Sequence, residues 1–405
     1  MNSSSITNDL ILEILSRLPS KSVARFHCVS KRWASNLGSP YFKELFLTRS
    51  SAKPRLLFAI AEKGNERGKE CVWSFFSSPQ FEKSSSTLVA SAEFYQKFNP
   101  DSLLICHYDD IKYFSIGYAS GLIYLYGNRV QARPVICDPI TGRYAILPYR
   151  YTYRKAYSFF GFDPIDKQYK ALSMIYPSGP GRSKILTFGD GDMRWSKIKY
   201  PVRHDIYSEG ICINGVLYYL GDAYGWDNPH DVPPGNVIVC FDLRSENVTY
   251  IRVESFCQLI NYKGKLAVTY WENDVYTNTI NELHVWVLED GEKHEWSKYA
   301  YILSDDKFLR SQVSVAGMTA SGEIVFSMRK YISKQPFYVF YFNPERNNLR
   351  RVEIQGFGEA FKKTCSVCTF VNHVEDLNVN DLKQLKSVHP PLVEPEYVES
   401  DSESD

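Results

Sequence analysis

The sequence predicts a multidomain α+β chain: a small helical unit in the first fifty residues, followed by an all-β domain, a propeller of about six blades. Three observations predict it. Apolar residues recur at helical spacing as far as Phe46, and after Ser51 the pattern becomes alternating, in short runs that end at Gly-, Asn- or Asp-containing turns. The runs repeat about every 48 residues, the length of a four-stranded blade. Aromatic residues make up 15% of the chain, with 29 Tyr and 24 Phe, a composition that suits a large β structure better than a helical bundle.

The helical unit reads in four steps. Thr7 or Asn8 can cap a first helix carrying Leu10, Ile11, Ile14 and Leu15, with Leu18 on the same stripe. Pro19 stops it, and Ser20 can cap a second helix bearing Val23 and Phe26. Ser30 can cap a third with Trp33 and Leu37 on one side. Ser39-Pro40 opens a fourth, proline being favoured in a first turn, which contributes Tyr41, Phe42, Leu45 and Phe46. Four short helices cannot bury all of these side chains among themselves, and each one left in water forfeits about 1.5–3 kcal/mol. The unit therefore either packs on the large domain or binds a partner.

The run Ile6-Thr7-Asn8-Asp9-Leu10-Ile11-Leu12-Glu13-Ile14-Leu15-Ser16-Arg17-Leu18-Pro19, followed by Lys21-Ser22-Val23-Ala24-Arg25-Phe26 and Val29-Ser30-Lys31-Arg32-Trp33, closely resembles the F-box over residues 5–48. The resemblance implies a surface for a Skp-type adaptor at Leu10, Ile11, Ile14, Leu18, Pro19, Val23 and Phe26. It implies that Val29 and Trp33 hold the helices together. Thr7 stands where the family usually has proline and His27 where it usually has a basic residue; the first is tolerated as a cap, and the second weakens one polar contact.

Beyond Ser51, apolar strands meet at hairpin turns: Ser120-Gly121, Asn214-Gly215, Lys263-Gly264 and Ser321-Gly322. A second turn follows each, at Asp138-Pro139, Asp242, Asp290-Gly291 and Asn343-Pro344. The segment Phe159–Pro201, turning at Asp163-Pro164 and Asp190-Gly191, is another copy; its Trp195-Ser196-Lys197 recurs as Trp296-Ser297-Lys298. Ser115 to Ile354 thus holds about five units. Arg55–Phe76 and Thr364–Val371 are left over, and together they can close the ring as a sixth blade, removing an open sheet edge. A β-sandwich is the alternative architecture. Residues 52–375 resemble the F-box-associated domain of a large plant F-box group, related in architecture to kelch propellers although the paired glycines of kelch blades are absent. The resemblance implies a target-binding role. The expected domains are 1–50, 51–375 and an acidic, unstructured tail at 376–405, where Glu394–Asp405 holds six acidic residues, no basic one, and the serines 400, 402 and 404 as candidate phosphorylation sites.

A formal net charge of +1 argues against nucleic-acid or anionic-membrane partners. Nine cysteines, an odd number and mostly scattered, suit reduced thiols; the chain opens without a basic region followed by an apolar stretch and has no apolar run of membrane-spanning length. The expected location is the cytoplasm, the nucleus or both. The eight histidines form no metal-spaced pair, Cys365-x-x-Cys368 lacks a second ligand pair, and Gly179–Lys184 departs from phosphate-loop order. No Gly-x-Ser-x-Gly elbow occurs, so neither catalytic residue, metal nor cofactor is expected.

In a four-stranded blade the second loop and the blade-to-blade link share one face of the ring. Here these segments carry Tyr149, Tyr151, Tyr153, Arg154, Tyr224 and Trp226, residue types enriched at binding hot spots, and they are the candidate target-binding residues. Packing of these aromatics between blades is the competing reading. The expected function is a non-catalytic substrate receptor of an SCF-type ubiquitin ligase, linked through its adaptor to a cullin and a RING subunit. The alternatives are a propeller enzyme or carbohydrate-binding protein with a helical docking unit, and an F-box protein acting outside a cullin complex.

Overall fold

Four helices lead into six sheets arranged as a ring. The structure, a computed structural model, describes residues 7–62, 72–81, 89–98, 114–127, 134–148, 156–175, 181–189, 193–198, 203–223, 235–254, 257–271, 282–291, 293–303, 305 and 307–385. The helices are α1 (Asn8–Leu15), α2 (Ser20–His27), α3 (Lys31–Leu37) and α4 (Pro40–Ser51). Ser30 and Ser39 cap α3 and α4 through the amides of Trp33 and Phe42, and Pro40 opens α4. Thr7 precedes α1 in extended conformation without a side-chain cap. At α2 the expected cap moves: Pro19 takes the N-cap position and Ser20 is the first helical residue.

Blades 2 to 6 span 114–146, 156–197, 204–252, 258–302 and 313–355. Blade 1 joins the two ends of the β domain. Its inner strand Cys365–His373 pairs antiparallel with Arg55–Glu62, which pairs with Val72–Pro79, and Glu93–Phe98 lies outside. The ring is therefore a six-bladed propeller with the expected closure, not a sandwich.

Each of six apolar clusters lies between two neighbouring blades. Leu56, Phe58 and Ile60 face Val339 and Tyr341 of blade 6, whereas Leu57, Ala59 and Ala61 face Ile123 and Leu125 of blade 2. Successive side chains of a strand point to opposite faces, and here both faces are buried. That is why the middle strands read as nearly continuous apolar runs.

The first hairpin turns lie on one face of the ring. At Asn214-Gly215 both central residues have positive φ, 49° and 83°, as a two-residue turn matching strand twist requires. Ser120-Gly121 and Lys263-Gly264 repeat that conformation. The Asn214 side chain donates to the Gly264 carbonyl at 3.0 Å, tying adjacent turns together.

Three features depart from the sequence reading. Val89–Ser91 adds a short parallel strand to the outer edge of blade 6. The inner strand of blade 4 is split into His204–Ile206 and Ile211–Ile213, both paired with Val216–Ala223. The expected start of the tail at residue 376 falls ahead of packed residues: Leu377–Asp381 forms a 3-10 turn, and Leu377, Val379 and Leu385 are buried. The acidic stretch Glu394–Asp405 lies outside the described residues.

Candidate functional site

The apolar side chains of α1 divide between two directions. At 100° per residue Ile11, Leu15 and Leu18 share one face, and Leu10 and Ile14 share another. Leu15 is buried in the helical core with Val23, Leu37, Phe42 and Phe46, and Ile11, Leu12 and Leu18 pack against that core partly buried. Leu10 and Ile14 remain 55% and 56% exposed. One face of α1 thus builds the unit, and among the described residues the other is left about half exposed.

The seven residues expected at an adaptor surface therefore fall into three groups. Leu10, Ile14 and Pro19 are exposed, and Ile11, Leu18 and Phe26 are half-buried. Val23 is only 3% exposed and belongs to the core; its expected place on the surface is corrected, since Leu15, Phe42 and Phe46 close over it. Val29, expected to hold helices together, lies just beyond α2 and is 63% exposed, adding to the apolar surface instead. Trp33 does hold helices together: its ring stacks on Phe26 with centroids 5.3 Å apart.

A groove of about 560 Å³ runs between α1 and α3, with Ile11, Leu12 and Trp33 along its apolar side and Asn8, Arg32 and Asn36 along its polar side. Arg32 donates to the Asn8 side chain at 3.2 Å across it. Glu13 is held below the ordinary carboxylate range by hydrogen bonds, first from Arg17 (3.0 Å) and then from Arg49 of α4.

The other side of the helical unit is fastened to the propeller. The Ser20 amide donates to Glu375 Oε2 at 2.7 Å, and the Glu375 amide donates to Ser50 Oγ at 2.8 Å. Lys21 Nζ donates to the Tyr95 carbonyl at 2.6 Å, and Lys43 pairs with Asp381. These contacts lie where the inner strand of blade 1 leaves the ring, on the same face as the hairpin turns. Val379 beneath Gly121 marks that face.

The candidate target residues Tyr149, Tyr151, Tyr153, Arg154, Tyr224 and Trp226 lie outside the described residues. The flanking strands are described: Ala156–Asp163 begins, and Val216–Ala223 ends, at the edge of the ring away from the hairpin turns.

Cys365 and Cys368 occupy opposite faces of the closing strand, Cys365 in the cluster toward blade 6 and Cys368 against the cluster toward blade 2. They cannot bind one metal ion together. Burial pushes their thiols up, to about 11 and about 12. Among the described residues no group of three or more His, Cys, Asp or Glu is placed to hold a metal, and no helix is long and apolar enough to cross a membrane.

Residues 55–374 match the family model of the F-box associated beta propeller domain, and residues 3–45 match that of the F-box domain. The chain is an F-box protein of this propeller family. Two relatives in Arabidopsis thaliana are similar over nearly their whole length. F-box protein At2g16450 is 71% identical over 99% of this chain and 100% of its own, and the putative F-box protein At2g16220 is 74% identical over 100% and 98%. The exposed α1 stripe accordingly belongs to the F-box, and the strand ends beyond it to the F-box-associated propeller.

Proposed function

We propose that this F-box protein is the substrate-recognition subunit of an SCF-type cullin-RING ubiquitin ligase, acting in the cytoplasm, the nucleus or both. Leu10, Ile14 and Pro19, with the half-buried Ile11, Leu18 and Phe26, bind a Skp-type adaptor, through which a cullin and a RING subunit join. The propeller binds a target protein. The chain itself is non-catalytic and supplies proximity and orientation for transfer carried out by other subunits.

The observation that carries this reading is the two-sided α1: its inner face completes the helical core, while Leu10 and Ile14 stay about half exposed among the described residues. Covering the exposed half of such side chains gains about half of what full burial gives, roughly 1–1.5 kcal/mol each. The target-binding role of Tyr149, Tyr151, Tyr153, Arg154, Tyr224 and Trp226 is supported by the strand ends that flank them, which lie on the face away from the F-box.

Co-purification with recombinant Skp-type adaptors tests the first half. The wild-type chain should form a stable complex that the double substitution Leu10→Asp, Ile14→Asp abolishes. A wild-type chain that captures no adaptor would sink the proposal. Proximity labelling with the proteasome inhibited would identify the target.

A further inference from the structure

The segment after the closing strand returns beneath the helices and is held at both ends. Glu375, 5% exposed, has both carboxylate oxygens engaged: Oε2 accepts the Ser20 amide at the N-terminus of α2, and Oε1 accepts the Tyr95 hydroxyl of blade 1. A carboxylate at the positive end of a helix is favoured electrostatically. Two residues on, Leu377 enters the helical core beside Phe42 and Phe46. Lys43 Nζ then lies 2.5 Å from Asp381. Val379 and Leu385 enter the cluster between blades 2 and 3, and Arg143 donates to the Leu385 carbonyl at 2.7 Å.

We propose that residues 374–385 are an orienting strut, with Glu375 as the positioning residue that sets the angle between F-box and propeller. Its consequence for ligase geometry rests on the function proposed above; the strut itself does not. Without it, the helices are joined to the ring only by the short stretch Ala52-Lys53-Pro54 between α4 and Arg55 and, among the described residues, by the flexible Lys21 side chain on the Phe94 and Tyr95 carbonyls. Glu375 adds a buried link at α2, and Leu377 and Asp381 add further links at the core and α4. The propeller's far face then points in one fixed direction relative to the adaptor.

The test uses the full chain with spin labels on non-natural amino acids at Lys31 and Lys307, both exposed. Wild type should give one narrow distance population. The pair Glu375→Ala, Leu377→Ala should lose that population to a broad spread, while Glu375→Gln, whose amide oxygen can still accept from Ser20, should keep it. If the double variant does not fold, Lys43→Asp should broaden the distribution and Lys43→Asp with Asp381→Lys should restore it. A narrow population in the double variant, or in Lys43→Asp where that one decides, overturns the strut. Adaptor capture measured on the same samples separates the two ideas: wild type with no adaptor but a narrow distance refutes the proposed function and leaves the strut standing.

Discussion

Ser20 and Glu375 are separated by 355 positions in the chain, yet the amide of one donates to the carboxylate of the other at 2.7 Å. Through that bond the segment that follows the closing strand supplies the cap that the second helix of the F-box lacks in its own side chains.

Surface and core positions of the F-box should separate cleanly. Ile14→Asp should abolish adaptor capture with little change in melting temperature, because Ile14 is 56% exposed. Val23→Ala should instead destabilise the helical core by about 1–3 kcal/mol, with adaptor capture falling in step with unfolding. Equal melting temperatures for the two variants would refute this division of labour.

Ring closure should depend on the C-terminal strand. A chain ending at Asn343 lacks Cys365–His373, leaving Arg55–Glu62 without its inner partner and the faces of Leu56 and Leu57 partly open. It should lose cooperative melting, whereas residues 52–385 should keep it. Matching calorimetric transitions for the two would show that the ring closes without the C-terminus.

The F-box helices were legible in the sequence because their signals are local. Ser30 and Ser39 cap as their positions suggest, and the Leu18-Pro19 stop falls where α1 gives way to α2. The burial of Val23 was not legible, since it depends on Phe42 and Phe46 of α4, and neither was the exposure of Val29. Hairpin glycines exposed the blades, and leftover strands at both ends exposed the closure. Glu93–Phe98 was missed because half its residues are polar and its partner is not adjacent in sequence. The role of Glu375 was invisible for the same reason: a single acid carries no periodicity. The loops named for target binding stay a reading of residue type and blade order.

Acid should weaken the join between F-box and propeller. His373 is fully buried, its Nδ1 3.0 Å from the Tyr118 hydroxyl, and burial lowers its pKa to about 4, with Glu375 opposing. The unfolded chain binds a proton near pH 6.5 and the folded one near 4, so the stabilisation is complete above about 6.5 and declines as pH falls through that window. The full effect is roughly 3 kcal/mol. The surroundings of the Glu209 carboxyl raise it to about 7, although by surface area the residue is exposed, and it acts with the opposite sign. The informative comparison is therefore with His373→Asn, whose unfolding free energy should fall less between pH 6.5 and 4.5. Parallel curves would remove His373 from the account.

Thiol reagents should discriminate among the described cysteines. Cys28 is exposed, whereas Cys365 and Cys368 are pushed to about 11 and about 12 by burial and present little thiolate at neutral pH. Native labelling read by peptide mass should modify Cys28 first and the closing-strand pair only on unfolding. Zinc titration should give the same result for wild type and Cys365→Ser, Cys368→Ser.

Substitution of the residues proposed for target binding completes the set. Tyr151→Ala, Arg154→Ala and Trp226→Ala should each weaken target capture, by about 2 kcal/mol or more where the side chain is a hot spot. Adaptor binding and melting temperature should hold. A large drop in melting temperature would place these rings between blades and move the binding face elsewhere.

Blade 1 takes its inner strand from one end of the β domain and its middle strands from the other, which imposes an order on biosynthesis. The F-box and Arg55–Glu62 leave the ribosome early, and the strand that pairs with Arg55–Glu62 comes last. At a synthesis rate of about 5–20 residues per second the incomplete ring waits roughly 15–60 s for its final strand, with the apolar flank of blade 1 open to chaperones. The residues that complete the ring also deliver Glu375 and Leu377 to the F-box. A prematurely terminated chain would carry an F-box without its clamp and a propeller without its seam, both recognisable to quality control as unfinished.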